Sequence, residues 1–120
     1  YCYAMWKILQ QKDPDDYVIA TGIQYSIKQF INLTAKELGL KIKWRGKGIN
    51  EKAYNIKGQS IIECDKNYFR PLDVNTLLGN AKKARKKLNW KPTVKIQTLI
   101  NEMIDEELNN LKNNEFKQKY

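Results

Sequence analysis

The sequence predicts a mixed α/β segment of short strands and about four helices. Three consecutive stretches carry that expectation. Residues 17–20 are a β-rich run, closed by Thr21-Gly22. Ser26 is a good N-cap with Gln29 three residues on, the pattern of a capping box, and it opens a helix over 27–38. Ile27, Phe30, Ile31, Thr34, Ala35 and Leu38 share one face of it, and Gly39 is placed to end it. Residues 41–44 then alternate polar and apolar side chains, as a half-buried strand does. Strand, capped helix and strand in this order indicate an α/β segment rather than an all-helical one.

The other elements follow from similar signals. Residues 2–11 read as the tail of a helix, with Met5, Ile8 and Leu9 at helical spacing and Trp6 beside them. Pro14 stops it within the turn over 12–16. Residues 45–50 carry two glycines and read as a loop, 51–58 as irregular, and 60–64 as a short strand. Residues 74–78 are expected to be extended. Asn80 can cap a helix over 81–88, whose narrow apolar stripe is Ala81, Ala84 and Leu88. The turn Asn89-Trp90-Lys91-Pro92 closes that helix, and Trp90 is expected to pack beneath it. The last helix, over 96–112, has an amphipathic stripe of Ile96, Leu99, Ile100, Met103, Ile104, Leu108 and Leu111. A polar tail over 113–120 is expected to fray.

Composition narrows the function. The chain has 120 residues, enough for one small domain, and is 42% apolar. It lacks an initiating Met and opens directly into a helix, so it reads as a fragment. No apolar run approaches the roughly 20 residues of a membrane span. The absence of histidine removes Ser-His and Cys-His catalysis from this segment. Cys2 and Cys64, with no histidine nearby, make no zinc site and suit a reducing, cytoplasmic setting. The net charge of +9 suits a polyanionic partner, but a Lys-, Asn- and Ile-rich composition is the better account of it. Lys82, Lys83, Arg85, Lys86 and Lys87 ring the helix over 81–88 without interleaved aromatics. They read as a solvated face rather than a nucleic-acid platform.

The stretch with the most chemical content is Tyr68-Phe69-Arg70-Pro71-Leu72-Asp73. Pro71 restricts Arg70 to extended backbone. A guanidinium held there suits the paired oxygens of a diphosphate, and Asp73 suits the two hydroxyls of a ribose. On these six residues alone, an Arg–Asp pair closing a turn explains the pattern better. Gly46-x-Gly48 lacks the third glycine of a dinucleotide fingerprint and opens no helix. Tyr3 and Lys7 satisfy a Tyr-x-x-x-Lys spacing, a pattern with two fixed positions that chance produces often.

Several stretches together carry a resemblance. They are Ala4-Met5-Trp6, Asp16 to Gly22, Tyr25 to Phe30, Trp44 to Gly48 with Asn50-Glu51-Lys52, Tyr68 to Val74, Leu77-Leu78-Gly79, Lys83-Ala84, and Leu88 to Pro92. In that order they resemble the C-terminal part of the GDP-mannose 4,6-dehydratases, a family of extended short-chain dehydrogenases/reductases. The resemblance implies a two-domain parent. An N-terminal Rossmann domain, absent here, would bind NADP and carry the glycine motif, the Thr/Ser-x-Glu pair and the true Tyr-x-x-x-Lys. Residues 1–112 would be the C-terminal nucleotide-sugar-binding portion, with 113–120 as its tail. Tyr3 and Lys7 lie past the family's catalytic pair.

The resemblance also implies the chemistry of that parent, an NADP-dependent lyase of the GDP-fucose pathway. NADP takes a hydride from C4 of GDP-mannose, water leaves across C5 and C6, and the hydride returns at C6 to give GDP-4-keto-6-deoxymannose. By resemblance Arg70 binds the diphosphate and Asp73 the ribose. No catalytic, cofactor-binding or metal-binding residue is expected in this chain, and alone it is expected to be inactive. The parent is expected to be a cytoplasmic homo-oligomer with no nucleic-acid or membrane partner. Many members have Glu where this chain has Asp73, and Asp where it has Asn80. Two other readings are another nucleotide-sugar dehydratase or epimerase of the same superfamily, and a small basic nucleic-acid-binding module.

Overall fold

The computed structural model describes residues 1–70, 74 and 76–118. In chain order the elements are α1 (Cys2–Leu9), α2 (Ile27–Glu37), β1 (Lys43–Arg45), β2 (Lys52–Tyr54), β3 (Ser60–Glu63), α3 (Lys82–Lys87) and α4 (Ile96–Gln118). Single 3-10 turns cover Gly48–Asn50 and Lys66–Tyr68. The elements divide into two units. One joins Tyr1–Tyr25 to Val74–Lys95, and the other joins Ser26–Asp73 to Ile96–Tyr120.

In the first unit, α1 and α3 meet through small residues. Ala4, Ala81 and Ala84 are buried, and Leu88 and Trp90 complete the core beside them. Alanine at these contacts lets helix backbones approach closely, while the two large side chains supply most of the apolar burial. The stripe expected on α3 is therefore the face it buries, and Trp90 packs as expected. Asn80 Oδ1 accepts from the Lys82 amide at 3.1 Å, so its cap forms although Ala81 occupies the N-cap position. Asn89 adopts φ +46°, a left-handed conformation that asparagine tolerates better than most residues.

Residues 17–20 are not a strand. Tyr17, Ile19 and Ala20 pack against the core of this unit, and the backbone of Gly79 lies directly beside Val18 and Ala20. The β-rich composition made the run extended and apolar, but no ladder forms along it. The expected β-α-β order is thus corrected to a capped helix followed by an antiparallel sheet. Residues 74–78 likewise join no sheet at the described positions, and Asn75 lies outside them.

The second unit follows its local signals more closely. The Gln29 amide donates to Ser26 Oγ at 3.1 Å, and the Ser26 amide donates to Gln29 Oε1 at 2.7 Å, closing the capping box at the head of α2. At the other end Gly39 takes φ +67°, and the Leu40 amide reaches back to the Ala35 carbonyl at 2.8 Å. That is the Schellman ending its glycine suggested.

The sheet is an antiparallel meander in the order β1-β2-β3. Trp44 pairs with Ala53, and Ala53 with Ile62, which centres the sheet on the fully buried Ala53. An irregularity at Ala53/Tyr54 shifts the register so that Tyr54 faces Ser60. The middle strand falls where irregular structure was expected. Helix α2 packs on α4, with Ile100 of α4 and Ala35 of α2 buried among the described residues. Helix α4 continues past Lys112 to Gln118, because no Gly or Pro follows Lys112 to stop it.

Candidate functional site

The candidate arginine sits at the end of a built turn. Strand β3 delivers the chain from the sheet, where Lys52 and Glu63 pair across β2 and β3 at 2.6 Å. Asp65 Oδ1 accepts from the Asn67 amide at 2.8 Å and caps the 3-10 turn Lys66–Tyr68. The Tyr68 amide closes on the Asp65 carbonyl at 3.1 Å. Phe69 then turns extended, at φ −69° and ψ 127°, and Arg70 emerges exposed. An aspartate in this position satisfies a backbone donor that the short turn leaves open. Pro71, Leu72 and Asp73 lie outside the described residues, so the pairing of Arg70 with Asp73 has no geometry here.

The basic helix α3 is bound into its own unit. Lys83 and Lys87 both reach Asp15, at 2.5 and 2.9 Å. Hydrogen bonds from Lys83, then Lys87, hold the Asp15 carboxyl well below the usual carboxylate range. The same contact pushes the Lys87 ammonium up. Arg85 donates to the Thr21 carbonyl at 3.2 Å, and Lys83 also lies over the Tyr17 ring. Three of the five cations expected to be a solvated face are therefore tethers between α3 and residues 15–21. Sequence could not show this, because Asp15 is 68 and 72 residues from its two partners.

Lys7 has a structural task as well. Its Nζ donates to the Leu88 carbonyl at 2.9 Å and the Asn89 carbonyl at 3.4 Å, the open acceptors at the end of α3. A lysine at a helix C-terminus meets both unsatisfied carbonyls and the negative end of the dipole. Lys7 also lies 5.1 Å from the centre of the Tyr3 ring. With its ammonium on α3, the Tyr3–Lys7 spacing serves packing rather than catalysis.

The residues at Gly46 and Gly48 do not fit a dinucleotide. Gly46 has φ +88°, and a Cβ there would lie 2.3 Å from the Asn50 carbonyl oxygen. The loop folds against itself, and only the 3-10 turn Gly48–Asn50 follows, so there is no helix N-terminus to receive a pyrophosphate. Around it, Trp44 Nε1 donates to Asn32 Oδ1 at 2.8 Å and Lys28 pairs with Glu51 at 2.5 Å. These contacts fasten the loop to α2. A groove between α2 and α4, lined by Phe30, Leu38, Met103 and Leu108, offers apolar walls and one carboxylate, Glu107, the wrong chemistry for a nucleotide diphosphate. Among the described residues no cluster of His, Cys, Asp or Glu could hold a metal, and no helix is long and apolar enough to cross a membrane.

Fold and residues together define a mixed helix and antiparallel-strand segment, held by local caps, with an exposed arginine just past a short capped turn. Comparison with known proteins specifies which. A model of the GDP-mannose 4,6 dehydratase family matches residues 1–103. The chain is 46% identical over 104 residues to GDP-mannose 4,6 dehydratase 2 of Caenorhabditis elegans, covering 87% of this chain and 27% of that protein. It is 43% identical over 119 residues to the GDP-mannose 4,6-dehydratase of Vibrio cholerae, covering 90% and 32%. It is 40% identical over 114 residues to the enzyme of that name from Dictyostelium discoideum, covering 94% and 32%. The chain belongs to the GDP-mannose 4,6-dehydratase family. It spans about a third of the length of the curated relatives it matches.

Proposed function

We propose that this chain is part of the substrate grip of a GDP-mannose 4,6-dehydratase, with Arg70 on the diphosphate of GDP-mannose and Asp73 on the ribose hydroxyls. Residues 1–112 form the nucleotide-sugar-binding portion, and 113–120 are a polar extension. The observation that carries the reading is the exposed Arg70, set on a capped turn within the matched region. A guanidinium fork can take two phosphate oxygens, and fixing its backbone lowers the entropy lost on binding. Tyr, Lys and Glu groups for the dehydration itself, and the NADP that serves it, belong to protein outside this chain. On this reading the chain by itself is inactive. The whole protein is a cytoplasmic homo-oligomer that converts GDP-mannose to GDP-4-keto-6-deoxymannose for GDP-fucose-type products.

The test is a titration of the chain with GDP, UDP and dTDP, repeated on Arg70→Ala. GDP bound in preference to the other two, with the preference and most of the affinity lost in Arg70→Ala, supports the reading. Equal binding of all three instead favours another nucleotide-sugar enzyme of the superfamily. A nucleic-acid module would need the cations of α3, and the engagement of Lys83, Arg85 and Lys87 with Asp15 and Thr21 counts against it.

A further inference from the structure

We infer that the ring of Tyr68 is the face on which the base of a bound nucleotide stacks while its phosphates sit on Arg70. The inference deepens the proposed grip and rests on the Arg70 reading. Tyr68 is 82% exposed, against 49% for Phe69 beside it, so the ring gains little from packing. Its backbone is nevertheless fixed. The Asn67 amide donates to Asp65 Oδ1 at 2.8 Å, the Tyr68 amide to the Asp65 carbonyl at 3.1 Å, and the Phe69 amide to the Lys66 carbonyl at 3.4 Å. These bonds hold the turn that carries the ring. Elsewhere in the chain, Tyr3, Tyr17, Trp44 and Tyr54 each have a cation over the ring, and Tyr3 also stacks on Trp6. Among the described residues Tyr68 has neither kind of neighbour, so both faces of its ring are open.

A nucleoside diphosphate has two unlike ends, one anionic and one flat and aromatic. Arg70 is two residues from Tyr68, so their Cα atoms are at most about 7 Å apart. Both side chains are exposed. From neighbouring points on one fixed segment, a guanidinium and a phenol can take the two ends of one ligand. Tyrosine suits the second task, because it offers a large rigid face with only two torsions to fix on binding. Every base has a π-face, so stacking is tolerant of which base is bound. A purine covers more of the ring than a pyrimidine does. Tyr68 therefore selects purine over pyrimidine, and a choice of guanine over adenine must come from hydrogen bonds to the base edge.

The experiment titrates the 120-residue chain with GDP, ADP, UDP and inorganic pyrophosphate, and repeats the series on Tyr68→Ala, Tyr68→Phe and Arg70→Ala. On the parent chain GDP and ADP should bind more tightly than UDP, and UDP more tightly than pyrophosphate. Tyr68→Ala should weaken GDP and ADP alike, by about fivefold or more, and leave pyrophosphate unchanged. Tyr68→Phe keeps the ring and should keep the parent affinities. The guanine H8 resonance of GDP should move upfield on the parent chain and stay in place on Tyr68→Ala. GDP bound no more tightly than pyrophosphate by the parent would overturn the inference. So would a Tyr68→Ala that weakens pyrophosphate as much as GDP, since that is the mark of a disturbed turn. A loss confined to GDP with ADP untouched, or a loss in Tyr68→Phe, would replace stacking by a hydrogen bond and overturn it too. Pyrophosphate on Arg70→Ala reads the other assignment separately. Unchanged affinity there sinks the Arg70 reading, whereas an unchanged ratio of GDP to pyrophosphate affinity in Tyr68→Ala sinks only the stacking.

Discussion

Gly79 separates two opposing effects of a single methyl group. Its conformation is not left-handed, so Gly79→Ala is allowed by the backbone and restricts the unfolded chain. That effect alone stabilises by about 0.4–1 kcal/mol. The structure sets a larger effect against it. A Cβ at Gly79 would lie 2.6 Å from Ala20 Cβ and 3.2 Å from Val18 Cγ1. The nearer atom is a Cβ fixed to its backbone, so the segments must separate rather than a side chain rotate. Overpacking of this kind costs about 1–3 kcal/mol. The cost exceeds the entropic gain over most of both ranges, leaving a net loss of about 1 kcal/mol. Urea unfolding followed by tryptophan fluorescence should show it, because Trp90 is buried in the same unit. Ala20→Gly opens the contested space, so the double variant should lose less than the sum of the two single losses. Stabilisation by Gly79→Ala, or strict additivity with Ala20→Gly, would refute the close approach.

Two further substitutions test the unit's tethers. Lys7→Met keeps the aliphatic stem but removes the donor from the Leu88 and Asn89 carbonyls, and should cost about 1 kcal/mol in chemical unfolding. Tyr3→Phe should fall within about 0.5 kcal/mol of the parent, since among the described residues its hydroxyl makes no hydrogen bond. Asp15 should give the unit an acid-labile contribution. Its folded carboxyl titrates below the ordinary value of 3.8, so the stabilisation is fully present above that value and is lost as pH falls toward the depressed one. Asp15→Asn should therefore flatten the acid limb of a melting-temperature profile and weaken its salt dependence, whereas an unchanged profile would remove Asp15 as a tether.

What the sequence made legible was mainly local. Ser26 and Gln29 are three residues apart, and Gly39 ends the same helix, so α2 could be read at both ends without knowing its neighbours. The Ala81, Ala84 and Leu88 stripe was equally clear, since helical periodicity is a property of the element itself. The misreadings were set by distant partners. Residues 17–20 have strand composition, but Gly79 and the α1–α3 core fix their place. Strand β2 is only Lys52, Ala53 and Tyr54, and it exists because β1 and β3 flank it. At the candidate site, Arg70 stood out through the proline after it, whereas the Asp65 cap that presents it is an ordinary Asx turn easily passed over. The partnership of Asp15 with Lys83 and Lys87 spans most of the chain and leaves no pattern in any window.

The most direct test of the proposed grip is an NMR titration of the isotope-labelled chain with GDP, run in parallel on Arg70→Ala. Charge-assisted hydrogen bonds of a guanidinium are worth about 1.5–3 kcal/mol each, so the substitution should weaken GDP by roughly tenfold or more. The account predicts shifts centred on the amides around Asp65 to Arg70, competed by inorganic pyrophosphate and lost in the variant. Saturable GDP binding of equal affinity in both proteins, or shifts confined to α3 and abolished by modest salt, would contradict it.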